Sequence, residues 1–180
     1  DETRNGYTGE QMYLPLTKLL EIDVNDTLSG TILVKDSDLF FTTKSGYVGS
    51  ASLFSREMIW FKSLDEEIVS SLTISDNNIL IASGKGTIFC LDQKTGNCLW
   101  KTTLESQIVA PLLVSFRFLY ASSVNGKVYC LNIIDGKIIW STDLKEKIET
   151  AACMKLNYVY VTTSEGRIFS LDSQNGRVVW

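Results

Sequence analysis

Apolar and polar positions between residues 61 and 104 come in short bursts. Residues 68–74 read IVSSLTI, 79–83 ILIAS, 87–91 TIFCL and 98–104 CLWKTTL, with DNN, GKG and DQKTG between them or close by. Runs of this length suit strands, are too short for helices, and carry no apolar stripe at helical spacing. The clusters between them are turn chemistry, in which glycine supplies a positive φ at no steric cost. Four strands joined in order by such turns predict a four-stranded antiparallel meander. In 88–91 and in 159–161 both faces are apolar, so the sheet must be covered on both sides.

The pattern repeats. GTIFCLDQKTGNCLW at 86–100 returns as GKVYCLNIIDGKIIW at 126–140 and GRIFSLDSQNGRVVW at 166–180, with a worn copy, GYVGSASLFSREMIW, at 46–60. Trp60, Trp100, Trp140 and Trp180 therefore recur at a constant 40-residue step. Meanders of that period, each apolar on both faces, stack about an axis as the blades of an all-β β-propeller. The expected division is a flexible arm at 1–11, an outer strand at 12–24, and blades at 25–64, 65–104, 105–144 and 145–180. The outer strand is expected because Leu20 falls in the tryptophan column and 19–24 matches the start of a fourth strand, with no first three strands before it. An orphan outer strand is what closes a ring and hides its edges. The fourth copy, however, begins a fourth strand of its own at Arg177. That favours four blades of a longer, seven- or eight-bladed ring. A closed four-bladed ring, or assembly by open stacking or from two chains, is the alternative. Pro111 is placed in an innermost strand, next to the axis.

Spacing within the copies assigns roles. Asp92, Asn132 and Asp172 open the turn between third and fourth strands, where the side chain accepts bonds from turn amides. Gly96, Gly136 and Gly176 take a left-handed position, and Arg56 in the first copy predicts a different turn there. The tryptophan is expected to lie against the next blade with its indole N–H on a carbonyl. Burying about 200 Å² at ~25 cal/mol/Å² contributes at most about 5 kcal/mol per ring.

Cys90-Asp92-Gly96-Trp100, Cys130-Asn132-Gly136-Trp140 and Ser170-Asp172-Gly176-Trp180 resemble the tryptophan-docking pattern of the PQQ-type (quinoprotein-type) propeller repeat family. The first copy keeps only Ser50 and Trp60 of it. The resemblance implies one of three roles. Quinoprotein dehydrogenases in the family use a calcium site of Glu, Asn and Asp, a catalytic Asp and often a pair of adjacent cysteines; no adjacent pair occurs here. BamB-like lipoproteins of outer-membrane assembly are non-catalytic scaffolds whose rim loops dock other proteins. Luminal stress sensors carry related repeats with long insertions.

Composition narrows this further. The chain is 44% apolar and 21% charged with a net charge of −4 and no histidine. Imidazole bases and nucleophilic triads are excluded, while zinc, without a CxxC or a histidine, and a nucleic-acid partner are disfavoured. No apolar run approaches the ~20 residues of a membrane span. Carboxylate groups at 65–67 and Asp36/Asp38 read as solvated loop charge, and no cofactor or metal is expected in this stretch. Cys90, Cys98, Cys130 and Cys153 read as small hydrophobes, with a Cys90–Cys98 bridge as the alternative. The leading functional expectation is a scaffold for protein partners, periplasmic or otherwise exported, with a lipid anchor upstream of residue 1 in the manner of the lipoproteins. Its docking loops would be 63–67, 103–107 and 143–147, displaying Asp65, Glu66, Glu105, Ser106, Lys145 and Glu146. A fragment of a PQQ-dependent dehydrogenase whose active site lies in other blades is the second reading, and a luminal sensor the third.

Overall fold

The structure, a computed structural model, describes residues 21–180. The described residues form strands and no helix, arranged as four antiparallel sheets in strict sequence order. Blade 1 is β1 (Leu28–Lys35), β2 (Asp38–Thr43), β3 (Tyr47–Ser52) and β4 (Met58–Ser63). Blade 2 is β5 (Thr73–Ser75), β6 (Asn78–Ala82), β7 (Thr87–Asp92) and β8 (Cys98–Thr103). Blade 3 is β9 (Leu113–Ser115), β10 (Phe118–Ser122), β11 (Lys127–Asn132) and β12 (Ile138–Asp143). Blade 4 is β13 (Cys153–Lys155), β14 (Tyr158–Thr162) and β15 (Ile168–Asp172). Its fourth-strand position holds one bridge, Leu171 to Val178, with Val179 N–H on the Ser170 carbonyl at 2.7 Å. The predicted arm 1–11 and most of the predicted outer strand lie outside the described residues, and 21–24 carry no strand.

The innermost strands of blades 2, 3 and 4 are shorter than the apolar run 68–74 suggests. In blade 2 the ladder covers only Thr73–Ser75, with a separate bridge from Ile68 to Ser83. Between them Ser70 replaces backbone pairing: its hydroxyl donates to the Ala82 carbonyl at 3.0 Å and accepts from the Ala82 amide at 3.1 Å. Pro111 sits in the matching irregular stretch of blade 3, exposed and ahead of β9 rather than within a strand, so its missing N–H interrupts no ladder.

The core is three inter-blade clusters. Phe40, Val48 and Trp60 of blade 1 meet Ile79, Ile81, Phe89 and Leu91 of blade 2. The alternate residues of those same strands, Leu80, Ala82, Ile88 and Cys90, meet Leu119, Ala121, Tyr129 and Leu131 of blade 3. Tyr120, Val128 and Cys130 then meet Val159, Val161 and Leu171 of blade 4. A period-2 strand with both parities apolar is thus buried from both sides by its neighbours, which is why the runs do not alternate.

Candidate functional site

Each joint between blades is built from one tryptophan, one glycine and one carbonyl. The Trp60 indole donates to the Gln93 carbonyl at 3.1 Å, Trp100 to Ile133 at 3.0 Å and Trp140 to Ser173 at 3.0 Å. The acceptor lies in the β3–β4-type turn of the following blade, and the ring covers that turn's glycine. A Cβ on Gly96 would stand 2.6 Å from Trp60 Cε3, and one on Gly136 or Gly176 2.4 Å from the corresponding atom of Trp100 or Trp140. The turn is held open for the ring by its first residue. Asp92 Oδ1 accepts from the Thr95 amide and hydroxyl at 2.8 and 2.7 Å, Asn132 from the Ile134 amide at 2.9 Å, and Asp172 from the Gln174 amide at 2.9 Å. The Thr95 hydroxyl and amide hold the Asp92 carboxyl below the usual range. Trp180 is 62% exposed and meets the Tyr160 ring of its own blade at a 47° tilt, centroids 6.0 Å apart.

Arg56 corrects the sequence expectation. Its φ is +65, against +68 to +73 for Gly96, Gly136 and Gly176, and its amide bonds the Ser52 carbonyl at 3.0 Å as theirs bond residues 92, 132 and 172. The turn is therefore the same. Ser52 stands in for the aspartate, its hydroxyl accepting from the Phe54 and Ser55 amides at 3.2 Å each. No described residue covers this turn as Trp60 covers that of blade 2, so a Cβ has room. Beside it lies an apolar cleft of about 320 Å³ lined by Ile22, Val24, Leu28, Ile32, Leu39, Phe41 and Leu53.

Two rims of different chemistry flank the blades. The loops joining one blade to the next run over the hairpin of the blade they leave. Leu64, Leu104 and Leu144 amides bond the Gly46, Gly86 and Gly126 carbonyls at 2.8–2.9 Å, and the loops then accept from Gly84, Val124 and Ser164 of the blade they enter. Of the residues expected on these loops, Asp65, Glu105 and Lys145 are exposed. Glu105 pairs with Lys127, and Lys145 with Asp143 at 2.6 Å. Glu66 and Glu146 turn inward instead. Glu66 accepts from the Ser83 and Thr87 hydroxyls at 2.6 and 3.3 Å; Glu146, 5% exposed, accepts from the Thr163 hydroxyl at 2.6 Å and pairs with Arg167. Ser106 occupies the same position in the middle loop and is half-buried. This locking role carries no local signal, because an acidic loop reads as solvated until the hydroxyls opposite it are known. The opposite rim carries the two-residue turns before β2, β6, β10 and β14.

The thiols divide by strand. Cys90 and Cys130 are buried at inter-blade joints, where burial pushes each up to about 12; Cys98 and Cys153 are exposed, and all four are free, so the Cys90–Cys98 bridge is not formed. Among the described residues no group of three or more His, Cys, Asp or Glu is placed to hold a metal. Asp92, Asp172, Glu66 and Glu146 are each bound to turn amides or hydroxyls, so these four carboxylates do not converge on a calcium–quinone site.

A family model described as outer membrane protein assembly factor BamB matches residues 21–117 and 113–180. Among solved structures, BamB from Moraxella catarrhalis superimposes with a TM-score of 0.79 at 18% identity, over 88% of this chain and 54% of that one. The computationally designed Ika4 protein gives 0.77 at 16% identity, over 88% and 99%. The quinohemoprotein alcohol dehydrogenase from Comamonas testosteroni gives 0.70 at 12% identity, over 86% and 34%. No curated protein matches the chain in sequence. The chain spans about half the length of the BamB structure it matches. The repeated tryptophan seats and the family match together place this protein in the PQQ-type propeller family described by BamB.

Proposed function

We propose that this chain is part of a non-catalytic propeller scaffold that docks protein partners, in the manner of BamB and in an exported, envelope-assembly setting, with a lipid anchor upstream of residue 1. The observation that carries the reading is the loop rim. Each inter-blade loop is clamped to two blades by backbone bonds, and two are clamped again by Glu66 and Glu146, while Asp65, Glu105 and Lys145 stay exposed at equivalent places. A rigid platform with side chains that differ from loop to loop is what selective docking requires, because little ordering entropy is lost on binding. The test is capture of envelope proteins by the intact protein and by an Asp65→Lys, Glu105→Lys, Lys145→Glu variant. The reading expects a stable partner lost in the variant while its melting temperature holds. Equal capture by both, or capture of nothing, overturns it.

The second reading, a segment of a PQQ-dependent dehydrogenase, is favoured by the fold likeness to the quinohemoprotein alcohol dehydrogenase. Incubation of the intact protein with PQQ and calcium, followed by dye reduction with an alcohol, decides it. No reduction disposes of it.

A further inference from the structure

The rim opposite the inter-blade loops carries side chains that folding alone does not explain. In each blade the first hairpin turn and the last turn meet there: Leu53, Gln93, Ile133 and Ser173 amides bond the Ser37, Asn77, Arg117 and Asn157 carbonyls at 2.7–3.0 Å. Lys35 of blade 1 reaches the Asp76 carbonyl and Gln93 Oε1 of blade 2, so the rim continues from blade to blade. The first residue of each hairpin turn is left-handed, with φ +55 at Asp36, +49 at Asp76, +52 at Phe116 and +56 at Leu156. Aspartate tolerates that conformation; phenylalanine and leucine are strained in it. Phe116 is also 92% exposed and Leu156 79% exposed, and Ile134, on the neighbouring turn of blade 3, is 69% exposed. Strain and exposure of large apolar groups at one rim point to use there.

Charge says what the rim meets. Arg117, Lys155 and Arg177 are exposed beside these tips and form no ion pair among the described residues, while Lys137 is neutralised by Asp135 at 3.0 Å. The Asp172 carboxylate on this rim accepts from the Gln174 and Asn175 amides and keeps its charge, so the cations of blades 3 and 4 are in excess of the acids without being alone. Blades 3 and 4 thus present projecting apolar tips in a field of unpaired cations, on a chain whose net charge is −4. Phe116 and Leu156 hold equivalent turns on adjacent blades, where blades 1 and 2 have Asp36 and Asp76; the apolar tips of blades 3 and 4 need no matching pockets and suit a flat, yielding, anionic surface. We propose that the part of this rim formed by blades 3 and 4 docks on an anionic lipid bilayer, with Phe116, Ile134 and Leu156 entering the interface, Arg117, Lys155 and Arg177 meeting lipid phosphates, and the aspartate tips of blades 1 and 2 tilted away from it. The surface lies opposite the partner loops, so a bilayer and a protein partner can be held at once.

Co-sedimentation of the intact protein with vesicles tests this. Binding is expected to vesicles of phosphatidylcholine containing phosphatidylglycerol and not to phosphatidylcholine alone, weakening as salt rises. Arg117→Gln and Arg177→Gln each lower it about fivefold, the equivalent of ~1 kcal/mol per surface cation. Phe116→Asn with Leu156→Asn lowers it tenfold or more while the melting temperature holds or rises, since asparagine relieves the left-handed strain. The inference is overturned if the wild type sediments no more with anionic than with neutral vesicles, if the asparagine variant binds as well as the wild type, or if the tips instead drive concentration-dependent self-association without lipid. Because these residues are remote from loops 63–67, 103–107 and 143–147, loss of vesicle binding with protein capture intact separates this inference from the docking role.

Discussion

Replacing Gly136 by alanine isolates the joint between blades 2 and 3. The new Cβ would lie 2.4 Å from Trp100 Cε3, 2.8 Å from Cδ2 and 2.7 Å from Thr102 Oγ1. Carbon atoms in good contact stand about 3.5–4.0 Å apart, so the ring has to withdraw by about an ångström. That movement stretches two bonds, Trp100 indole to the Ile133 carbonyl at 3.0 Å and the Thr102 hydroxyl to the Gly136 carbonyl at 2.7 Å. Each contributes about 1 kcal/mol. The left-handed φ of +69 adds about 1–2 kcal/mol of strain for alanine. Lost ring contact brings the total to about 3–5 kcal/mol, the range of a damaged core position. At about 2–4 °C per kcal/mol for a chain of this size, the melting temperature should fall by about 6–20 °C, followed by far-ultraviolet circular dichroism. Gly166→Ala is the control. Its φ is +80, but nothing lies within 4 Å of the new Cβ, so only the strain of about 1–2 kcal/mol applies. Equal losses in the two variants would show that backbone strain alone makes these glycines necessary, and the seating account would be wrong.

Trp60→Ala, removing a ring only 8% exposed and bonded to Gln93, should cost about 3–5 kcal/mol in urea denaturation, whereas Trp180→Ala should cost less than about 1 kcal/mol. Arg56→Gly should stabilise the chain by about 0.5–1 kcal/mol by relieving a left-handed arginine; a loss would mean its side chain makes a contact of value. Burial holds Cys90, Cys130 and Tyr120 at about 12, above their unfolded values, so their contribution is complete below about pH 8.5 and is lost as pH rises toward 12. Melting temperature against pH should fall on that limb, less steeply in Cys130→Ala, and an identical slope would refute the assignment. A thiol reagent should titrate Cys98 and Cys153 in the native protein and Cys90 and Cys130 only after denaturation.

The four blades were legible because their signals are local and repeated. Turn chemistry such as GKG, runs of strand length and a fixed tryptophan step each point to the same sheet, and agreement across levels makes a pattern decisive. Where a residue acts through a partner far along the chain, the sequence was silent. Ser70 reads as part of a strand until its bonds to Ala82 are seen, and Glu146 as solvated until Thr163 and Arg167 are placed around it. Arg56 misled for a related reason. Propensity argues against a left-handed arginine, yet Ser52 and the surrounding ladder impose the turn, and tertiary context overrides the local preference.

Arg56 also bears on what the turn of blade 1 can seat. At each interior joint a tryptophan covers a turn whose glycine leaves no room for a Cβ. Blade 1 presents the same turn, with a φ of +65, but with an arginine, and so a Cβ, in the place of the glycine. Trp180 brought onto it in the interior manner would therefore meet that Cβ at the 2.4–2.6 Å that Gly96, Gly136 and Gly176 avoid. The exposed ring of blade 4 and the turn of blade 1 are therefore not matched in the way the interior rings and turns are.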